Sequence, residues 1–301
     1  MNLGALVKGR QQPATRIILY GPEGVGKSTF AAGAPGAIFI GTEGGTSQLD
    51  VTRFPAPEAW GDVLEAVRVL TNETHDFKTL VIDTLDWAEP LLWEFICRRD
   101  IMKSIEDYGY GKGYQVALDE WRIFLAAIET MRRAKPSMHV IMLAHSWVKS
   151  FKNPAGPDYD RFEMKLNAKA AGLLKEWSDA VLFAMYETST AKDEKKRIRG
   201  VDNAGARIVY TERRAAYDAK NRYSLPGKMP LGWSDFMAAV EAHQPADPAA
   251  LTDEINRKAK QAGGQMEKDT LASLGRCGTD ATKLSLLNNW ITAQLAARAE
   301  E

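Results

Sequence analysis

Gly21-Pro22-Glu23-Gly24-Val25-Gly26-Lys27-Ser28-Thr29 follows the apolar run Ile17-Ile18-Leu19-Tyr20 and precedes Phe30-Ala31-Ala32. Gly21, Gly26, Lys27 and Ser28 fall on the spacing G-x-x-x-x-G-K-[ST], the P-loop, in the strand–loop–helix setting that motif requires. A phosphate chain carries several negative charges, and a turn whose backbone N–H groups point inward at a helix start cradles it, with the helix dipole favouring the anion. Glycines let the main chain come that close. Gly21 to Thr29 are therefore expected to wrap the phosphates of ATP, with Lys27 reaching the β- and γ-phosphates as a point charge and the Ser28 hydroxyl suited to Mg²⁺.

The 301 residues suffice for one large α/β domain and a small appendage, and 45% hydrophobic with 26% charged residues is an ordinary globular composition. Two cysteines, Cys97 and Cys277, make neither a disulfide framework nor a metal knuckle, which fits reduced thiols in a cytoplasmic compartment. Met1 to Gln12 has no apolar core for a signal peptide, and no stretch reaches the roughly 18 apolar residues of a membrane span, so no membrane partner is expected. The formal net charge is zero, and nucleic-acid affinity would have to come from local patches.

After the first helix, Ala37-Ile38-Phe39-Ile40 reads as a parallel strand buried on both faces. In an open parallel sheet the ligand crevice lies outside the carboxyl ends of the strands, so Glu43, just beyond this strand, should face the same crevice as Lys27. A carboxylate there can orient and deprotonate the water that attacks the γ-phosphate, although a solvent-exposed loop glutamate fits the same position. Pro57 to Leu70 reads as an amphipathic helix with Trp60, Val63, Leu64, Val67 and Leu70 on its apolar stripe. Leu80-Val81-Ile82-Asp83 is the next strand, and its closing acid is the expected Walker B ligand of Mg²⁺. Residues 85–102 and 115–134 read as helices.

Between those helices, Lys103 to Tyr114 combines glycines with Tyr108, Tyr110, Lys112 and Tyr114. Base stacking plus phosphate neutralisation is what such a loop offers single-stranded DNA, although a plain surface loop has the same composition. Met138 to Ala144 is a strand that ends at His145, placed either to sense the γ-phosphate or to serve as an ordinary core histidine. Trp147 to Lys165 follows as a long loop without clear periodicity, the second candidate DNA segment, through Lys149, Phe151, Lys152, Arg161, Phe162 and Lys165. The stretch from Lys192 onward reads as a hairpin turning at Asp202-Asn203-Ala204-Gly205, then a strand at Arg207 to Thr211. It leads to Ala219-Lys220-Asn221-Arg222, two cations that would suit a neighbouring subunit's phosphates or simply a solvated strand end. The expected organisation is an ATPase core over residues 1–243, a linker over 244–250 and three short helices over 251–301.

The chain resembles the RecA-like ATPases and, within them, the phage-encoded recombinases with single-strand-annealing activity. The likeness spans about residues 14–230 and is carried by the P-loop, Glu43, the strand ending in Asp83, the strand-end His145, and Lys220 with Arg222. It implies a core of mostly parallel strands, assembly of copies into a ring or filament, and ATP bound between subunits. Further implications are Lys220 and Arg222 acting in trans, single-stranded DNA on the central axis, and partnership with a single-stranded-DNA-binding protein. Departures are a short lead-in before the P-loop strand, Ala144-His145 where the main recombinases carry a glutamine, and the helical tail, which together favour annealing or remodelling over strand exchange. Three other readings remain open: a hexameric translocase or helicase of the same fold, a nucleotide or small-molecule kinase, and a binding protein in which ATP only sets the oligomeric state.

Overall fold

β1 (Arg16–Gly21) and its neighbours are continuous apolar runs because both faces of the sheet are covered. A computed structural model of the protein describes residue 2 and residues 14–192, 198–242 and 248–299. After β1 come α1 (Lys27–Ala32), β2 (Ala37–Gly41), a 3-10 turn at Gly44–Gln48, β3 (Thr52–Arg53), α2 (Trp60–Asn72), β4 (Thr79–Asp83) and α3 (Leu85–Arg99). A second 3-10 turn at Ile105–Tyr108 leads to α4 (Lys112–Ala134), β5 (His139–Phe151), β6 (Tyr159–Met164), α5 (Ala168–Trp177), β7 (Ala180–Lys192) and β8 (Ile198–Tyr210). β9 (Lys220–Asn221), β10 (Lys228–Pro230) and α6 (Trp233–Ala242) follow, and then α7 (Pro248–Ala262), α8 (Gly264–Cys277) and α9 (Ala281–Ala299).

The sheet order is β10-β8-β7-β1-β5-β4-β2-β3. The run from β7 to β3 is parallel throughout, as the sequence leads one to expect, whereas β8, β9 and β10 pair antiparallel. Period-two alternation sends Ile18, Tyr20, Ile40, Ile82, Met142 and Phe183 to one face, under α2 to α5. Ile17, Leu19, Phe39, Val81, Ile141 and Leu182 go to the other, against Phe30 of α1 and Trp233 and Phe236 of α6. Trp60 and Trp121 meet edge to face at 5.4 Å in the first layer, each fully buried, and truncating either to alanine would cost about 3–5 kcal/mol.

Several boundaries differ from the sequence reading. α2 starts at Trp60 rather than Pro57 because the Asp62 carboxylate reaches back to accept the N–H groups of Glu58 and Ala59, each at 2.9 Å. Leu64 lies at the edge of the stripe, and Ala66 takes a buried place instead. The long loop over 147–165 is a β-hairpin, in which β5 runs on past the sheet and pairs with β6 from Ser146↔Met164 to Phe151↔Tyr159. Asp202 to Gly205 is no turn: Asp202 pairs with Thr188 and Arg207 with Tyr186, so the excess residues form a bulge inside β8. Strand pairing continues outward from there to Lys192↔Ile198, beyond which the connecting residues 193–197 lie outside the described chain.

The chain divides into two compact units, Gln11–Ala242 and a second containing His243–Glu301. In the second, Leu251, Ile255 and Leu284 form a small core with Leu274, Cys277 and Leu287 packed on it. No described helix is long and apolar enough to cross a membrane.

Candidate functional site

The P-loop keeps its shape for steric reasons. Gly24 and Gly26 have φ of +73° and +103°, a region that costs any residue with a Cβ. Gly21 lies so close to β7 that a Cβ there would overlap the Ala184 carbonyl. Val25 is fully buried and anchors the loop in the core. The Lys27 side chain folds back so that Nζ donates to the carbonyls of Gly21 at 3.0 Å and Pro22 at 2.9 Å. Burial holds its pKa below the ordinary lysine value, opposed by the Asp83 carboxylate.

Parallel register brings the other groups to the same edge. Gly21, the last residue of β1, pairs with His145 inside β5, and Gly41 and Asp83, the last residues of β2 and β4, pair with each other, with Asp83 also opposite Leu143, two residues before His145. Ser28 Oγ donates to Asp83 Oδ2 at 2.6 Å. Burial pushes the Asp83 carboxyl up, against the opposing hydrogen bond from Ser28. Glu43 is fixed through the main chain, since the N–H groups of Thr42 and Glu43 both donate to the Asp83 carbonyl, at 2.8 and 3.2 Å. Thr42 Oγ1 adds a bond to the Thr84 carbonyl at 2.6 Å.

His145 is clamped by Asp86, a residue the sequence reading passed over as part of a helix. The two Asp86 oxygens take the His145 backbone N–H at 2.9 Å and ring Nδ1 at 2.8 Å. Burial would raise the Asp86 pKa, but the hydrogen bonds from His145 outweigh it and hold the carboxyl below its usual range. An ionised carboxylate only accepts, so Nδ1 is the donor to Asp86, and Nε2 faces Glu43 Oε2 at 3.7 Å. Lys27, Ser28, Glu43, Asp83 and His145 all line one cavity of about 400 Å³ beside the P-loop. Thr84, Gln48 and Arg207 line it as well and were not anticipated.

Ser28 and Asp83 fit Mg²⁺: two hard oxygen donors in hydrogen-bond contact, one of them a buried carboxylate whose charge a divalent cation would neutralise. Lys220 and Arg222 lie elsewhere. β9 pairs with the start of β7, placing both at the opposite end of the sheet. Lys220 Nζ donates to the carbonyls of Lys175, Glu176 and Ser178 at 2.7, 2.9 and 2.5 Å. Lys220 is thus the cap of α5, not a free finger, because the unpaired carbonyls at a helix end take up its donors. Arg222 keeps a half-exposed guanidinium, held loosely by Asp179 at 3.3 Å.

The DNA-binding candidates separate in the same way. Arg161 is only 4% exposed, with its guanidinium over the Phe151 ring at 4.9 Å and facing Asp218 at 3.7 Å. Phe162 packs against Phe183 with the rings tilted and centroids 5.1 Å apart, at the edge of the core. Tyr108 donates to the Ile96 carbonyl and to Asp100, and Tyr114 packs on Trp93 while its hydroxyl meets Glu106. Arg161, Phe162, Phe151, Tyr108 and Tyr114 are therefore packing residues, since each spends its ring or charge on a neighbour. Lys103, Tyr110, Lys112, Lys149, Lys152 and Lys165 remain exposed. Trp147, 43% exposed with the Lys149 ammonium over its ring at 5.7 Å, joins them.

No curated protein matches the chain. Among solved structures it is similar to the crystal structure of the RadB recombinase, at 14% identity over 68% of this chain and 83% of that one, with a TM-score of 0.37. A family model described as "AAA domain" matches residues 14–223, from just before the P-loop strand to just past Arg222. The chain therefore belongs to this family of AAA domains.

Proposed function

We propose that the protein hydrolyses ATP in response to single-stranded DNA and uses that cycle to promote annealing or pairing of strands in homologous recombination. The observation that carries this reading is the convergence of Lys27, Ser28, Asp83, Glu43 and His145 on one cavity at the carboxyl edge of the sheet. Backbone N–H groups of the P-loop and Lys27 bind the triphosphate, with Lys27 leaving its two carbonyl partners for the phosphates. Ser28 and Asp83 would hold Mg²⁺, which would supply positive charge to the triphosphate. Glu43, pinned by the Asp83 main chain, orients the attacking water and takes its proton, a role worth about 10²–10⁴-fold in rate.

His145 Nε2 is turned toward Glu43, with Asp86 fixing the ring. The strand that carries His145 continues without a break into the exposed hairpin with Trp147 and Lys149. That continuity supports coupling between the nucleotide and the grip on DNA. Arg222, half-exposed at the far end of the sheet, would enter the cavity of a second copy and neutralise charge on its γ-phosphate. A ring or filament of copies, a single-stranded-DNA-binding partner and a phage source complete the reading, and all three rest on the resemblance.

Phosphate release from MgATP with and without single-stranded DNA tests it. DNA is expected to stimulate release several-fold, and Lys27→Ala to abolish it. Release indifferent to DNA would overturn the DNA-dependent reading, and processive unwinding of a duplex would favour the translocase.

A further inference from the structure

The antiparallel hairpin of β7 and β8 brings a second cation to the P-loop from the same chain. Arg207 on β8 stands opposite Tyr186 on β7, and its guanidinium lies over the Tyr186 ring at 5.7 Å. The Tyr186 hydroxyl donates to the Gly24 carbonyl at 2.9 Å, so the pair is latched to the loop itself. Arg207 Nη1 reaches within 2.8 Å of the place where a Cβ on Gly26 would stand, and Arg207 lines the same cavity as Lys27. The Arg207 carbonyl accepts the Leu231 N–H at 3.1 Å, which holds the main chain in place.

Sheet order fixes the side from which Arg207 approaches. Glu43 follows β2, Asp83 closes β4 and His145 lies within β5, all on one flank of β1, whereas β7 and β8 occupy the other. The water-activating groups mark the γ-phosphate end, and Arg207 therefore meets the part of the nucleotide that is not transferred. Resting on the ATPase reading above, we infer that Arg207, propped on Tyr186, is a nucleotide-binding residue supplied in cis. Its guanidinium holds the α- and β-phosphates shared by ATP and ADP. A contact to phosphates that do not react is equal in the bound substrate and the transition state, so it strengthens binding without lowering the barrier of the bound complex.

Binding of MgATP and MgADP by the full chain, measured together with steady-state hydrolysis, tests this. Arg207→Ala is expected to weaken ATP and ADP to the same extent, about tenfold, the scale of one charge-assisted hydrogen bond. KM should rise with the loss of affinity, and kcat should fall much less. Arg207→Gln, which keeps a planar amide over Tyr186 but no charge, should match Arg207→Ala, and Arg207→Lys should recover part of the affinity. Unchanged affinities in Arg207→Ala, a loss confined to ATP, or wild-type affinity in Arg207→Gln would each overturn the inference while leaving the ATPase reading intact. Failure of the wild-type chain to bind either nucleotide would overturn both.

Discussion

The two ends of the central sheet both carry conspicuous cations and carboxylates, yet they use them in opposite ways. At the carboxyl end, Lys27, Glu43, Asp83 and His145 face a shared cavity. At the amino end the charges close on one another: Arg16 grips Asp179 with two bonds at 2.9 and 2.6 Å, Arg222 joins that carboxylate, and Lys220 caps α5. Hydrogen bonding alone does not separate the ends, since Lys27 too donates to backbone carbonyls; what marks the carboxyl end is that Lys27, Asp83 and His145 line open volume beside the phosphate-binding loop. Arg222 is less committed to its own chain than Lys220, with a half-exposed guanidinium and one side-chain bond at 3.3 Å, and this is why we propose it, rather than Lys220, for the neighbouring copy.

The largest effect expected sharpens that distinction. Arg222→Ala should lower DNA-stimulated turnover about 10³-fold, the scale of an arginine supplied in trans, while its exposed pair with Asp179 contributes under about 1 kcal/mol to stability. Unchanged turnover would remove Arg222 from the mechanism.

Titration separates the ends next. Glu89 on α3 is buried near the carboxyl end, accepting the Asn167 N–H, and burial pushes its carboxyl up to about 7 from 4.5. A raised acid pKa means the folded state binds more protons, so stability should fall as pH rises from about 4.5 to 7, by up to about 3 kcal/mol. Glu89→Gln should flatten that slope in denaturant melts. Asp179 has the opposite sign. Burial works against it, but the hydrogen bond from Arg16 prevails and holds it below the usual carboxylate range, so its stabilisation is present above about pH 3.8 and is lost only as pH falls below that.

A smaller effect belongs to Lys220. Lys220→Ala should cost about 1–3 kcal/mol by removing its ammonium from the carbonyls of Glu176 and Ser178, while the Lys175 carbonyl keeps the Ser178 hydroxyl at 3.1 Å, with nucleotide affinity unchanged. The smallest belongs to the exposed hairpin. Lys149→Ala should weaken single-stranded DNA binding modestly and reduce the salt dependence of log K by about 0.7, the slope per single-strand phosphate contact.

Much of this was legible in the chain because the relevant signals are local. The P-loop spacing, the apolar strands and their closing residues Glu43, Asp83 and His145 each sit within a few positions of their motif, and parallel register then makes them neighbours. The failures were of long-range pairing. Tyr159 to Met164 alternates too weakly to announce a strand until it pairs with β5, which hid the buried place of Arg161 and Phe162. Arg207 approaches Gly26 only because a bulge in β8 sets its register against Tyr186, and nothing within either segment specifies that offset. Asp86 falls in the first turn of α3, where an acid is already expected for the helix dipole, so its bond to His145 left no separate trace.

The most direct test of the central claim is a single-turnover measurement of MgATP hydrolysis on single-stranded DNA by Glu43→Gln beside the wild-type chain. If Glu43 activates water in the cavity it shares with Lys27 and Asp83, the variant binds ATP with wild-type affinity and cleaves it about 10²–10⁴-fold more slowly. Cleavage at the wild-type rate would contradict the account.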